Sequence, residues 1–334
     1  MGMSAPANQA LPQAIERHTL WHRVRTFAVE NPFLPIASIS LLALLLIIIF
    51  LFREGFPLFS VYPISKFLFG SAWYPTDEAH PDFGALPLIV GSLIVSLASS
   101  VIALPIGVGA AIYLSEIAHA RWRESLKVVI ELLAGIPSVV FGFFGLTVMS
   151  PWIRETFHLN TGLTAFTAAL VLAIMAIPTI TSIADDALRA VPNGLREASY
   201  ALGATRWQTT AGVVVPAGIS GVFTAAMLGM ARAFGETMTV LMVAGGAAII
   251  PGLPQRFPPL SDFSHFVAAL LDPLLQPVRP LTATIAAEMG EAPVGGAHYH
   301  ALFALGIILF FITLAFNLAA SVVSYRLKRR DSGR

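Results

Sequence analysis

The sequence predicts an all-α membrane protein with six transmembrane helices and both termini in the cytoplasm. Three observations carry that expectation: the composition, the length of the apolar runs, and the sidedness of the cationic residues. Of the 334 residues, 56% are hydrophobic and only 12% charged, and the mean hydropathy is +0.76. Soluble domains carry roughly 25% charged residues, so a chain this poor in charge has no way to cover its apolar surface in water. With no cysteine in the chain, disulfides, thiolate metal sites and cysteine nucleophiles are excluded. A net charge of +1 gives no reason to expect a nucleic-acid partner.

A span needs roughly 20 mostly apolar residues, and six stretches qualify. The first is Phe33–Phe52, around "ASISLLALLLIIIFLF". The second lies within Leu86–Leu114, the third within Val128–Met149 and the fourth within Gly162–Ile183. The fifth lies inside Val213–Ala247, and the last runs from about Ala301 to Val323. The fifth stretch is too long for one simple span, so its membrane part is placed near Gly221–Val243, with the earlier residues at the interface. Pro105 and Pro137 are expected to kink their spans.

Cationic residues set the orientation. With the N-terminus inside, 14 lysines and arginines fall on the cytoplasmic side, five fall outside (Arg53, Lys66, Arg154, Arg256, Arg279), and Arg232 alone remains in the membrane. The opposite topology inverts the bias. The organisation is then a cytoplasmic tail over residues 1–30, a six-helix domain over 31–325 and a basic cytoplasmic tail over 326–334. The first apolar run is long and no small-residue cleavage pattern follows it, so it reads as a span and not as a cleaved signal. Two outer loops are substantial: Arg53–Ala85, and the proline-rich Ile250–His300.

The cytoplasmic loop at about 184–216 is the most informative segment. It reads "DDALRAVPNGLREASYALGATRWQTTAGVVVPAG". Pro192-Asn193-Gly194 is a turn signal, and "LREASYAL" reads as a short helix closed by Gly203 as its C-terminal cap. Thr205 followed by Gln208 has capping-box spacing for a second helix starting at Arg206. Gly203 is expected to form a corner that no side chain could share. The pattern is Glu197-Ala198-Ser199, three residues, Gly203, nine residues, then Val213-x-Val215-Pro216.

This spacing resembles the E-A-A-x3-G-x9-I-x-L-P loop of the membrane subunits of bacterial ABC importers, with Ser199 for the second alanine and Val213 and Val215 for the isoleucine and leucine. The resemblance implies a type I importer permease fold. It also implies coupling helices seated in a groove of a separate cytoplasmic ATPase, with Glu197, Ala198, Ser199, Gly203 and Pro216 in the coupling element. Four more segments are similar to permeases of the phosphate-specific importer: "PLIVGSLIVSLASSVIALPIGVGAAIYLSEIA" (87–118), "LLAGIPSVVFGFFGLTVMSPWIR" (132–154), "ARAFGETMTVLMVAGG" (231–246) and "PLTATIAAEMGEA" (280–292). The likeness covers about residues 30 to 330. "GETMTVLMVAGG", "SAWYPT" and "PSVVFGFFGL" with "MSPWIR" resemble the PstC type more than its PstA-type partner. The resemblance implies a subunit of a phosphate importer in the bacterial inner membrane, embedded in lipid. Its implied partners are a PstA-type permease, a dimer of PstB-type ATP-binding subunits and a PstS-type phosphate-binding protein. Permeases for molybdate or sulfate, and the PstA-type subunit itself, are the alternatives.

Arg232 and Glu236 stand where the neighbouring residues predict hydrocarbon, at a cost of at least ~2.5–3.5 kcal/mol per charge. On a single helix, Gly221, Ala225, Gly229, Arg232 and Glu236 share one arc, and small residues at that spacing mark a face of close helix approach. The charges are therefore expected to point into the bundle or into the seam with a partner subunit. Two readings stay open. Arg232 and Glu236 form a structural ion pair at i,i+4, although arginine before glutamate is the less favourable order. Or Arg232 offers its fork of donors to a tetrahedral oxyanion in the substrate pathway, with Glu236 holding or releasing it and Thr237 and Thr239 adding hydroxyls. The outer loops carry nine acidic and five basic residues, which fits delivery of the anion by a partner better than capture by the loops.

Other candidates point to structure. Ser92, Ser96 and Ser99 share a face of span two, as a polar path or as interhelical hydrogen bonds. Glu131 is placed at the N-terminal start of span three, where a carboxylate is favoured. Asp185-Asp186 is reminiscent of the diphosphate-binding aspartates of membrane prenyltransferases, the alternative from an enzyme class, but no further spaced aspartate completes a magnesium site. His298-Tyr299-His300 lacks an evident third metal ligand. Neither H-E-x-x-H nor G-x4-G-K-[ST] occurs, so no cofactor or metal is expected, the chain is not read as an enzyme, and ATP hydrolysis is assigned to another chain.

Overall fold

The structure is a computed structural model that describes residues 33–77, 80–252, 269 and 271–331. The tail over residues 1–30, and much of the outer loop that follows Ile250, lie outside the described residues. Five helices are long and apolar enough to cross a membrane, or six if one sharply bent pair is counted as a single span.

The first span is α1, Phe33–Gly55. Its residues through Phe50 form a compact unit of their own, a helix of continuous leucine and isoleucine with most of its apolar side chains exposed. The second unit begins at Leu51. It opens with two short helices, α2 (Leu58–Val61) and α3 (Ile64–Phe69), and a two-stranded antiparallel hairpin, β1 (Trp73–Tyr74) with β2 (Asp82–Phe83). Leu58 and Phe67 are fully buried with Leu281, Leu302 and Leu305, so this outer segment is packed and not a loose loop.

Three long helices make the core of this unit. They are α4 (Leu86–Ile112), α8 (Ala165–Arg189) and α11 (Val215–Gly235), with α8 the most buried of the long helices. Their close approach is built from glycines, as packing between helices in lipid requires. A Cβ on Gly107 of α4 would lie 2.8 Å from Ile180 of α8, and one on Gly229 of α11 would collide with the same side chain. Ile180 is thus gripped from both sides. Gly221 meets Ala187 in the same way, and Thr181 donates to the Gly107 carbonyl at 3.2 Å. The last helix, α14 (Ala297–Asp331), continues beyond the expected span through the basic segment.

Two expected spans are broken. The third consists of α5 (Ala120–Ala134), then Gly135-Ile136-Pro137, then α6 (Ser138–Phe144), a π-helical turn and α7 (Ser150–Thr156). The two limbs bend by 88°, because Pro137 cannot continue the hydrogen-bond ladder and holds the residue before it out of the helical region. Val128–Met149 is therefore not one straight helix. Glu131 lies near the C-terminal end of α5 rather than at the start of a span. Pro105, by contrast, sits inside an unbroken α4.

The fifth expected span is also displaced. A continuous apolar helix runs over Arg206–Gly235, stops, and resumes as the short α12 (Met238–Val243). The expectation of a helix over Gly221–Val243 thus fails at its C-terminal half. Glu236 has extended dihedrals (φ −74°, ψ 129°). Gly235 leaves the backbone free to stop; the Glu236 carbonyl then accepts from Thr282 Oγ1, and the Glu236 carboxylate accepts from the Thr239 N–H.

Candidate functional site

The two limbs of the hairpin are α9 (Asn193–Ala201) and α10 (Arg206–Thr209), and the second passes through a π-helical turn directly into α11. The capping box is present: Thr205 Oγ1 accepts from the Gln208 N–H at 3.3 Å, and Gln208 Oε1 accepts from the Thr205 N–H at 2.8 Å. Gly203 has φ +84°, the left-handed conformation that ends a helix. A Cβ there would meet nothing within 4 Å. The corner therefore has room for a side chain, and the constraint is torsional rather than steric. Glu197 and Ala198 are exposed, as are Leu202 and Trp207 at the tip. Ser199 is buried, its Oγ 2.9 Å from Thr209 Oγ1. The serine that departs from the Glu-Ala-Ala pattern thus ties the two limbs together. Pro216 is the second residue of α11, directly after the π-helical turn Thr210–Val214 in one continuous helix, so the missing N–H of a proline inside a helix falls at the irregular turn.

Arg232 lies in the last turn of α11, the end where a cation is favoured by the helix dipole. It is exposed, and among the described residues no hydrogen bond or ion pair reaches it. Gly229, Ala225 and Ala233 form the buried face of the helix; the guanidinium is not on it. Of the two placements expected for Arg232, this chain's own bundle or the seam with a partner subunit, the side chain does not take the first.

Glu236 does not share the helix with Arg232, so the single-helix wheel and the i,i+4 ion pair both fail. Its carboxylate turns forward instead. Glu236 Oε1 accepts from the Thr239 N–H at 3.4 Å and is 3.3 Å from Thr239 Oγ1. The single hydroxyl proton of Thr239 has a second acceptor, the Ser138 carbonyl at 3.1 Å. Thr282 Oγ1 donates to the Glu236 carbonyl at 2.9 Å. Thr237 is partly exposed, and among the described residues its hydroxyl reaches only the Gly235 carbonyl, at 3.5 Å. The break after Gly235, the break at Pro137 and the start of α13 (Leu281–Glu288) therefore meet through Thr239 and Thr282. Irregular backbone at such depth persists only where protein or a water-lined cavity satisfies it.

Ser92 accepts from the Leu281 N–H at 2.8 Å, and Ser99 donates to the Ser96 carbonyl at 2.9 Å. Ser92 thus ties α4 to the residue Leu281, whereas the Ser99 bond stays within α4. Asp185 and Asp186 are occupied by cations: Arg189 donates to Asp185 at 2.9 Å, and Lys127 of α5 donates to Asp186 at 2.7 Å. His298 Nε2 is 2.8 Å from Glu288 Oε2, and His300 Nδ1 is 2.7 Å from the Glu54 carbonyl, so the two histidines serve separate contacts. Among the described residues no group of three metal-ligating side chains occurs.

Two charged clusters escaped sequence reasoning. Glu288 gathers Arg279 at 2.6 Å, His298 and the Trp73 indole N–H at 3.1 Å. At the other cluster Arg196, counted in sequence only as a loop cation, pairs with Glu116 at 2.8 Å. The available signal was a lone acid after span two, in "YLSEIAHARWR", facing a basic loop. In the segment between the first two long helices, Lys66 and Tyr62 both donate to Asp82, at 3.0 and 3.1 Å; the Lys66 hydrogen bond, with that of Tyr62, holds its carboxyl below the usual carboxylate range.

Residues 103–330 match the family of the binding-protein-dependent transport system inner membrane component. The chain is a member of this family. It is also 40% identical over 294 residues to the probable ABC transporter permease protein YqgH of Bacillus subtilis, covering 87% of this chain and 88% of that one. To the phosphate transport system permease protein PstC of Mesorhizobium japonicum it is 34% identical over 333 residues, with 92% and 93% covered. Its fold is similar to that of a bacterial alginate ABC transporter solved with an alginate pentasaccharide-bound periplasmic protein. The TM-score there is 0.58 at 16% identity, with 92% of this chain and 98% of that one covered. This inner membrane component is accordingly a permease subunit of an ABC importer and not an enzyme. Membership implies an ATPase and a binding protein as its partners.

Proposed function

We propose that this permease subunit forms one half of a phosphate pathway, in the position of a PstC-type subunit. The substrate follows from relatives at 33–34% identity that bear that name. The observation in this chain that carries the reading is Arg232. It is a permanently charged fork of donors at the end of α11, beside a helix break, with no partner among the described residues. A guanidinium there suits transient contact with a tetrahedral oxyanion, with Glu236 and Thr237 at the adjoining break. Loose retention is what transport needs, since a site that binds too tightly does not release.

The rest of the proposal follows from it. The bent α5–α7 segment counts as the third of six spans, and both termini and the Glu197–Pro216 hairpin face the cytoplasm, where the positive charge gathers. The hairpin, through Glu197, Ala198, Ser199 and Gly203, docks on a PstB-type ATPase dimer; Pro216 lies in the continuous helix that carries the motion inward. A PstA-type permease closes the other half of the pathway, and a PstS-type protein delivers phosphate from outside.

The test is ATP hydrolysis by the reconstituted complex. Binding protein loaded with phosphate is expected to stimulate hydrolysis several-fold, whereas molybdate- or sulfate-loaded protein leaves it at the basal rate. Stimulation by molybdate or sulfate instead would move the substrate to that anion.

A further inference from the structure

We propose that Arg196 is a strut that makes the end of α4 move as one body with the α9–α10 hairpin. It is a positioning residue, and the proposal rests on the coupling role argued above. The hairpin has two covalent routes into the membrane helices, back into α8 and forward into α11. No chain connection leads to α4. Among the described residues, the one ion pair between the hairpin and the end of α4 is Arg196 with Glu116.

The geometry is that of a fixed joint. Arg196 Nη2 donates to Glu116 Oε1 at 2.8 Å, and Nε donates to Oε2 at 3.4 Å. The two side chains are 15% and 7% exposed, so water does not compete for the pair. A second tie comes from Nη2, which donates to the Leu188 carbonyl at 2.9 Å, while Nη1 donates to the Val191 carbonyl. These belong to the last turn of α8 and the residues just after it, where carbonyls lack the i+4 helical partner; the Leu188 carbonyl also accepts from the Val191 N–H at 3.3 Å. Arg196 therefore joins three elements at once: its own helix α9, the end of α8, and Glu116.

Glu116 is itself positioned. It lies in a π-helical turn, Tyr113–Ile117, that follows α4, and such a turn shifts side chains off the α-helical register. Ser115 Oγ donates to Glu116 Oε1 at 2.7 Å, fixing the carboxylate rotamer. A planar, forked cation fits this arrangement of two carboxylate oxygens and two carbonyls; an ammonium does not. Removing either partner leaves the other charge buried and uncompensated.

The chain lacks cysteine, so introduced cysteines can be spin-labelled selectively in the assembled importer once its partner chains are also cysteine-free. Ile117 and Tyr74 are exposed, and a side chain at Gly194 meets nothing within 4 Å. Distances are measured for the pairs Ile117→Cys with Gly194→Cys, and Tyr74→Cys with Gly194→Cys, without nucleotide and trapped with ATP and vanadate. The expected result is a 117–194 distance that changes by less than ~2 Å, the size of an ordinary interface helix shift, while the 74–194 distance changes by more. With Arg196→Ala, the 117–194 distance should itself become nucleotide-dependent by more than ~2 Å. Where that variant fails to assemble, Glu116→Gln replaces it with the same expectation.

A 117–194 distance that follows nucleotide in the unsubstituted chain overturns the strut and leaves coupling intact, as does one that stays constant in the variants. A 74–194 distance that never changes overturns the coupling reading itself, and the strut with it.

Discussion

Replacing Arg232 by alanine is expected to lower uptake at least ~10-fold while the assembled complex is recovered in normal yield. Hydrogen bonds to a charged group are worth ~1.5–3 kcal/mol, about one to two orders of magnitude in rate if they form only as the anion passes. Among the described residues no hydrogen bond or ion pair holds the side chain, and it is absent from the buried face of α11. Arg232→Lys keeps the charge and loses the fork, and should fall between. Glu236→Gln should cost less than either, because the carboxylate acts toward Thr239 and a glutamine oxygen accepts the same hydrogen bond. Radiolabelled uptake and size-exclusion profiles on the same preparations check this. Loss of assembly in Arg232→Ala would show instead that Arg232 holds the seam between the two permease subunits.

Gly203→Val is expected to uncouple: ATP hydrolysis continues while phosphate moved per ATP falls several-fold. At φ +84° a non-glycine residue costs roughly 1–2 kcal/mol, more if β-branched. The chain relieves that strain by opening the angle between α9 and α10, at the expense of the Ser199–Thr209 contact. Because a Cβ there meets open space, Gly203→Asn should be near normal, since asparagine tolerates the left-handed region. That ordering, Asn far milder than Val, separates a torsional corner from a steric one. Hydrolysis and uptake in the same proteoliposomes check it. Normal stoichiometry in Gly203→Val would remove the coupling role of the corner.

Much of this was legible in the sequence because it depends on local rules. Capping at Thr205 and Gln208, the left-handed Gly203 and the apolar runs of α4, α8 and α14 are each written in a few adjacent residues. The breaks were harder. "GIPS" at 135–138 carries a visible proline, yet a proline in an apolar run predicts anything from a mild kink to the 88° turn observed; Pro105 shows the other outcome. The stop at Gly235 carries no proline, and Gly-Glu-Thr inside an apolar stretch fits a helix equally well. What decides it is tertiary: Ser138, Thr239 and Thr282 supply the hydrogen bonds that make stopping affordable. The helical wheel that paired Arg232 with Glu236 failed for that reason. Arg196 and Glu116 lie 80 residues apart, and no periodicity links them.

The most direct measurement is uptake of radiolabelled phosphate by phosphate-starved cells with and without this chain, in the presence of excess unlabelled molybdate or sulfate. The account predicts that high-affinity uptake is lost without the chain and, when the chain is present, is insensitive to both competitors. Uptake that persists unchanged without the chain, in cells with no other high-affinity phosphate system, would contradict it.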